Sequence, residues 1–238
     1  MKNVYHIARR ELGAYFVSPI AYVVIAIYLA VVGGLFGFIL YYSREATMRY
    51  VFLHGVSILF LVLVTQVLTM RLLAEEQRMG TIELLLTSPV RDWEVVLGKF
   101  LAGLGVFIVM VLLTGYFVIV LLRVGDPDIG VLLSGYLGYI LLGASLLAIG
   151  VFSSSLTQNQ IVAAVVGIGI TLVLWLTGAL GEFVGSTLEG IVTYVPIFDH
   201  LQDLVRGVID TKDIIYYLSV TALFLFLSVR VLESRRWK

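Results

Sequence analysis

Residues 129–181 contain no Asp, Glu, Lys or Arg. A soluble fold cannot hide so long a neutral stretch, because its surface needs about one charged residue in four. In lipid the same stretch is natural, since a helix crosses the hydrocarbon layer in about 20 apolar residues. It is too long for one crossing. The polar interruption at 153–160 (Ser-Ser-Ser-Leu-Thr-Gln-Asn-Gln) divides it into two helices joined by a tight turn. Further charge-free runs lie at 20–43, 50–70 and 100–122. A shorter one at 214–229 is extended by Val231 and Leu232 past Arg230, whose long side chain can snorkel to the surface. The count is six spans, at about 20–43, 50–70, 100–122, 129–152, 161–181 and 214–232. Backbone groups in lipid must find partners within their own segment, so the expected fold class is all-α integral membrane, with residues 1–238 forming one transmembrane domain.

Composition agrees: 60 % of the 238 residues are hydrophobic and 13 % charged. The absence of cysteine excludes disulfides and thiolate metal sites. A formal net charge of zero gives nucleic acid no electrostatic foothold. The first apolar run is longer than the core of a cleavable signal and is expected to remain as an anchor. Lys and Arg decide the orientation. Lys2, Arg9, Arg10, Arg71, Arg78, Arg91, Lys99, Arg230, Arg235, Arg236 and Lys238 fall on the side of the termini, 11 in all. Arg44, Arg49, Arg123, Arg206 and Lys212 make 5 on the other side. Both termini are therefore expected in the cytoplasm.

Residues 3–16 precede the first span and alternate in a helical pattern. Val4, Ile7, Ala8, Leu12, Tyr15 and Phe16 share one face, while Lys2, His6, Arg9 and Arg10 share the other. Such a helix lies in the interface with its basic face toward anionic headgroups. Glu11 projects into the apolar sector and needs a partner. Ser18-Pro19 caps and starts the span that follows.

The most charged connection joins spans two and three. Helix two is expected to run to Met79, with Glu75 and Arg78 as an i,i+3 pair. Gly80 permits a change of direction, Thr81 caps a new short helix, and Glu83 suits its first turn. Leu84, Leu85 and Leu86 give that helix an apolar body, and Ser88-Pro89 ends it. A short amphipathic helix held along the membrane can dock into a soluble partner; a solvated connector is the plainer alternative. The order Glu76, Gly80, Thr81, Glu83, Leu85, Leu86, Pro89, Gly98, Lys99 resembles the junction of ABC-2-type permeases. The gliding-motility type of ABC permease is similar over nearly the whole chain, through Arg10-Glu11-Leu12, Ser18-Pro19, Met70-Arg71, Ala74-Glu75-Glu76, Ser155-Leu156-Thr157, Asn159-Gln160, Arg206-Gly207 and Tyr216-Tyr217.

The resemblance implies a permease working in the direction of export, in the cell inner membrane, paired with a second copy or a paralogue and with cytoplasmic ABC ATPase subunits. Each ATPase would receive the coupling helix at about 80–87, served by Glu75, Glu76, Arg78, Gly80, Thr81 and Glu83. No cofactor is expected in this chain, which lacks a G-x-x-x-x-G-K-[ST] phosphate loop; ATP and magnesium would be bound by the partner. The related permeases place short helices between spans five and six, and an outer accessory protein could sit there.

Polar residues within spans are candidates for a translocation path: His54, Thr65, Gln66 and Thr69 in span two, Thr171 and Trp175 in span five. The plainer reading is that they bond their own backbone or bridge neighbouring helices. Gly33, Gly37, Gly167 and Gly169 suit helix packing. Between spans five and six, Ile197, Leu201, Leu204, Val205, Val208 and Ile209 recur at helical spacing opposite Asp199, Asp203, Arg206 and Asp210, giving a short outer amphipathic helix. Two other function classes stand beside this one. A subunit that transmits force or signal without transport fits the same features. An intramembrane hydrolase does not: His6, His54 and His200 are scattered, and Ser145 lacks a nucleophile's G-x-S-x-G setting.

Overall fold

The computed structural model describes residues 2–43, 45, 47–81, 90–180 and 194–235. Ten helices make up the described chain, with no strand among these residues. They are α1 (Lys2–Val17), α2 (Pro19–Ser43), α3 (Arg49–Leu53), α4 (Gly55–Thr69), α5 (Arg71–Arg78), α6 (Asp92–Val124), α7 (Ile129–Leu156), α8 (Gln160–Leu180), α9 (His200–Val205) and α10 (Thr211–Arg235). Six stretches are long and apolar enough to cross a membrane: α2, α4 with α5, α6, α7, α8 and α10. The interfacial helix expected before the first span is α1, and Ser18 with Pro19 marks its boundary with α2.

The centre of the bundle is α7. Of its most apolar window 67 % is buried, against 17 % for α2 and α8 and 22 % for α10, so those three give most of their surface to the surroundings. Small residues explain the difference. A β-carbon added at Gly143 would stand 2.1 Å from the Phe107 ring, one at Gly138 2.8 Å from Leu204, and one at Gly150 1.9 Å from the Thr69 hydroxyl. Helices can approach this closely only where side chains are missing, and close approach replaces the hydrophobic drive that lipid removes. Tyr28 of α2 and Tyr139 of α7 add a buried hydroxyl pair at 2.5 Å. Gly33 meets Phe117 and Gly167 meets Gln66, whereas Gly37 and Gly169 face open space.

Span two differs from its expected form. It does not run unbroken from residue 50: α3 stops at Leu53, and His54 turns extended and caps α4, its Nδ1 accepting from the Val56 N–H at 3.2 Å. A second break at Met70 separates α4 from α5. Span six starts earlier than expected, at Thr211, and α7 continues to Leu156, so Ser153, Ser154 and Ser155 belong to its last turn. The amphipathic helix expected between spans five and six is one short element, α9. Ile197, Leu201, Leu204 and Val205 are buried as expected, but Val208 and Ile209 are exposed. Gly207 adopts φ +93°, which ends the helix before those two residues can join its apolar face.

At this end of the bundle, far from α1, segment 194–200 is fastened to the first turns of α10. His200 Nδ1 lies 2.7 Å from Asp213 Oδ1 and its Nε2 2.9 Å from the Tyr194 carbonyl. A carbonyl only accepts, so Nε2 carries the proton there. Tyr216 stacks on the imidazole at 3.9 Å, and the Tyr217 hydroxyl donates to the Ile197 carbonyl at 2.9 Å. Asp213 is 1 % exposed, and its second oxygen has no hydrogen-bond partner among the described residues.

Candidate functional site at the α1 end of the bundle

Pro19 supplies a pre-set φ for the first residue of α2 and has no N–H, so it opens that helix while α1 ends at Val17. The chain thereby turns, and α1 lies along the first turns of α6. Glycine makes room: a β-carbon at Gly98 would come within 2.7 Å of Ile7, and one at Gly105 within 2.6 Å of Leu12. At the start of α1, Asn3 donates to Glu94 Oε2 at 3.1 Å, and the same oxygen accepts from the Arg91 N–H at 3.1 Å. At its far end the Tyr15 hydroxyl donates to the Leu68 carbonyl, and the Arg71 guanidinium sits 4.4 Å over the Tyr15 ring.

Between these two anchors stands a cluster of four charges. Lys99, 1 % exposed, donates to Glu76 Oε1 at 2.8 Å and to Glu11 Oε1 at 3.1 Å. Arg10 donates to Glu11 Oε1 at 2.7 Å and reaches Glu76 Oε1 at 3.5 Å. The partner that Glu11 needed is therefore supplied twice. Two cations and two carboxylates cancel formally, which is how a buried ammonium is tolerated. Burial pushes the Glu11 carboxyl up, but Lys99 and Arg10 together outweigh it and hold its pKa below the usual glutamate range. Among the described residues Glu76 Oε2 is buried without a hydrogen-bond partner, and the contacts of this carboxylate all run through Oε1. Arg9 lies exposed on the outer side of α1 and takes no part.

A neutral joint completes the site. The break at Met70 frees backbone groups that an unbroken helix would satisfy. Ser154 of α7 mends it: its Oγ accepts from the N–H groups of Leu73 and Ala74, both at 3.0 Å, and donates to the Met70 carbonyl at 2.9 Å. In return Gln77 donates to the Ser155 carbonyl at 2.9 Å and the Ser154 carbonyl at 3.4 Å, capping the end of α7. Thus α5 is fixed to α1 and α6 by charge and to α7 by hydrogen bonds.

Of the residues expected here, Glu76 is central and Glu75 and Arg78 are not joined: no ion pair links them, and Arg78 is exposed with no ion pair among the described residues. Gly80 has φ +69°, the left-handed turn its position called for. The Thr81 hydroxyl donates back to the Glu76 carbonyl at 3.3 Å, and the helix it is expected to cap lies outside the described residues. Glu83 and the rest of the expected coupling helix after Thr81 lie outside the described residues. Asn3, Ser154 and Gln77 are functional candidates the sequence reading did not single out, and Lys99 entered it only through the charge count and as the end of the junction motif. The usable signal was Lys99: a lysine in an apolar helix face is buried only when paired.

The ABC-2 family transporter protein model matches residues 16–235. The chain belongs to the ABC-2 transporter family. It is a multi-pass membrane permease subunit of an ABC transporter, a subunit type that associates with an ABC ATPase. No curated protein matches it. In this permease the path candidates are largely occupied with structure. Thr65 donates to the Leu61 and Val62 carbonyls, Thr69 to Thr65 and Gln66, and Thr171 to Gly167, all within their own helices. Gln66 bridges to the Leu146 carbonyl at 3.2 Å, and its amide oxygen is buried without a partner among the described residues. His54 stands at a helix start rather than within a span. Trp175 is half-exposed and meets the Phe198 ring edge-on at 5.8 Å.

Proposed function

We propose that this permease couples ATP hydrolysis in a partner ATPase to export of a substrate across the cell inner membrane, with both termini cytoplasmic and residues 1–238 acting as one transmembrane domain. The observation that carries this reading is the four-charge cluster of Arg10, Glu11, Glu76 and Lys99, which joins three helices just before the connection to span three. Motion delivered to that connection reaches α1, α5 and α6 through charge contacts, and α7 through Ser154 and Gln77. A helix at about 80–87, with Glu83 in its first turn, serves as the docking element, while Glu75, Glu76, Arg78, Gly80 and Thr81 form its root. ATP and magnesium bind the ATPase, and a second permease copy or paralogue completes the transmembrane unit. Its sequence resembles the gliding-motility type of ABC permease, and an outer accessory protein is the further partner proposed for the segment between spans five and six.

The decisive experiment tags the chain, extracts it gently from native membranes and identifies what co-purifies. A stoichiometric phosphate-loop ATPase, lost from the Glu83→Arg variant while the permease still inserts, is the expected result. Recovery of the unmodified permease with no ATPase attached would overturn the coupling role.

A further inference from the structure

Spans one and two leave a groove between them. Val24 and Ile27 of α2 and Phe60, Leu63, Val64 and Val67 of α4 line a hollow of about 150 Å³, with no polar side chain in its wall. Ile27 is 50 % exposed, so the groove opens to the surroundings rather than into the bundle. Its α1 end differs in kind. Met70 keeps helical angles, so Val64, Val67 and Arg71 recur at i, i+3 and i+7 and share one side of span two. Arg71 thus stands one turn past the last groove residue, and it donates to the hydroxyl of Ser18, just before α2, at 3.4 Å. Its guanidinium lies over the Tyr15 ring, which is itself fixed by the bond to the Leu68 carbonyl. No carboxylate pairs with Arg71 among the described residues, so its charge is positioned without being neutralised. A second apolar groove, between α6 and α10, sharpens the point. The cation beside that one, Arg230, stacks on Phe226 and is already paired with Glu233 at 2.7 Å.

We propose that the groove between α2 and α4 binds an anionic phospholipid, with its phosphate on Arg71 and the Ser18 hydroxyl and one acyl chain along the apolar wall. A guanidinium recognises phosphate through two parallel hydrogen bonds, and an apolar groove on a membrane span takes a hydrocarbon chain. A phospholipid carries both groups in the order found here, charge at the end of the span and hydrocarbon toward the bilayer centre. An anionic headgroup is favoured because a zwitterionic one brings its own cation to the phosphate, in competition with Arg71. Since Arg71 also rests on Tyr15, the bound lipid joins α1 to the first two spans. The site is independent of the coupling role.

The test transfers the full-length permease, with the partners it carries from native membranes, into nanodiscs. These contain a trace of phospholipid with a photoreactive group in its acyl chain, as phosphatidylglycerol in one sample and phosphatidylcholine in the other. The expected adducts map to residues 24–27 and 60–67, with about fivefold more from phosphatidylglycerol, the scale of one basic residue facing anionic lipid. Val24→Trp fills the groove and should remove these adducts for both lipids. Arg71→Gln should keep the adducts and erase the preference. Tyr15→Phe removes the hydroxyl that anchors α1 but leaves the ring under Arg71, so it should keep the preference; an equal loss there would assign the effect to a loosened α1 and overturn the inference. Equal yields from the two lipids in the unmodified permease reduce the groove to ordinary bilayer contact and also overturn it. So does an absence of adducts, as a second permease copy seated on the groove would give. Excess inorganic phosphate should not compete, because the acyl chain supplies the rest of the binding; competition would mark a free anion as the ligand and remove the lipid.

Discussion

The two ends of this permease fasten a short segment to the long helices by opposite means. At the α1 end the fastening is ionic: a buried lysine shared by two carboxylates, both of which an exposed arginine also reaches. At the other end it is a hydrogen-bonded aromatic nest, in which His200, Asp213, Tyr216 and Tyr217 hold the backbone of Tyr194 and Ile197. Charge contacts act over a distance and tolerate small shifts, whereas hydrogen bonds to backbone weaken steeply when their angle changes. The ionic end is thus built to keep its grip while its helices move past one another. The aromatic end is built to hold one geometry.

The largest expected break of this contrast is Lys99→Ala. Removing one partner from a buried charge group costs about 3–5 kcal/mol, and here it leaves two carboxylates facing each other. The purified permease should melt well below the parent in detergent, and Lys99→Arg should recover part of the loss. Asp213→Ala should cost less, about 1–3 kcal/mol, since the imidazole loses one hydrogen bond and keeps its contact with Tyr194. Hydrogen exchange should localise the damage to 194–205, with α1 still protected. If Asp213→Ala also loosens α1, the two ends are not independent and the contrast fails.

A smaller effect is specific to the ionic end and to acid. Because the Glu11 pKa is depressed in the fold, its contribution is fully present above the ordinary glutamate range and lost as pH falls through the depressed value. Exchange of the α1 amides should accelerate below about pH 4, where glutamates begin to protonate. A chain carrying Lys99→Met should lose much of that acid step, because Lys99 is the largest charge holding the pKa down. The smallest contrast is within Gly80, whose φ of +69° strains any side chain and a β-branched one most. Gly80→Val should reduce coupled ATP hydrolysis more than Gly80→Ala; equal activities would remove the turn from the coupling argument.

Much of the architecture was legible because lipid imposes a simple rule. The charge-free runs had to be helices, and the polar stretch at 153–160 had to be where one ended. The breaks in span two were not legible. His54 and Met70 stand in runs with no proline: His54 opens α4 by accepting from the Val56 N–H with its own ring, and the break at Met70 rests on Ser154, distant in sequence, which satisfies the freed N–H groups of Leu73 and Ala74. The same holds for the site. Glu76 and Gly80 stood out by local order, and Glu11 by its place in an apolar sector. Their meeting at Lys99 depends on α1 folding back along α6, which no periodicity encodes. The Val208 and Ile209 positions were misread for the converse reason: their spacing continued the pattern, but Gly207 stopped the helix.

The length of α6 carries a consequence of its own. Its 33 residues make a rod of about 50 Å. The hydrocarbon layer is about 30 Å thick, so the rod overhangs it. Lys99 grips this rod near one tip, two turns from Asp92. A stiff overhanging rod behaves as a lever with the bilayer as its fulcrum, so a pull at that tip becomes tilt rather than translation. A tilt of about 5° displaces one end relative to the other by about 4 Å over this length. A step of that size is close to the width of a methylene chain, so under the proposed coupling role a small push at the lysine would shift the opposite face by about one such width.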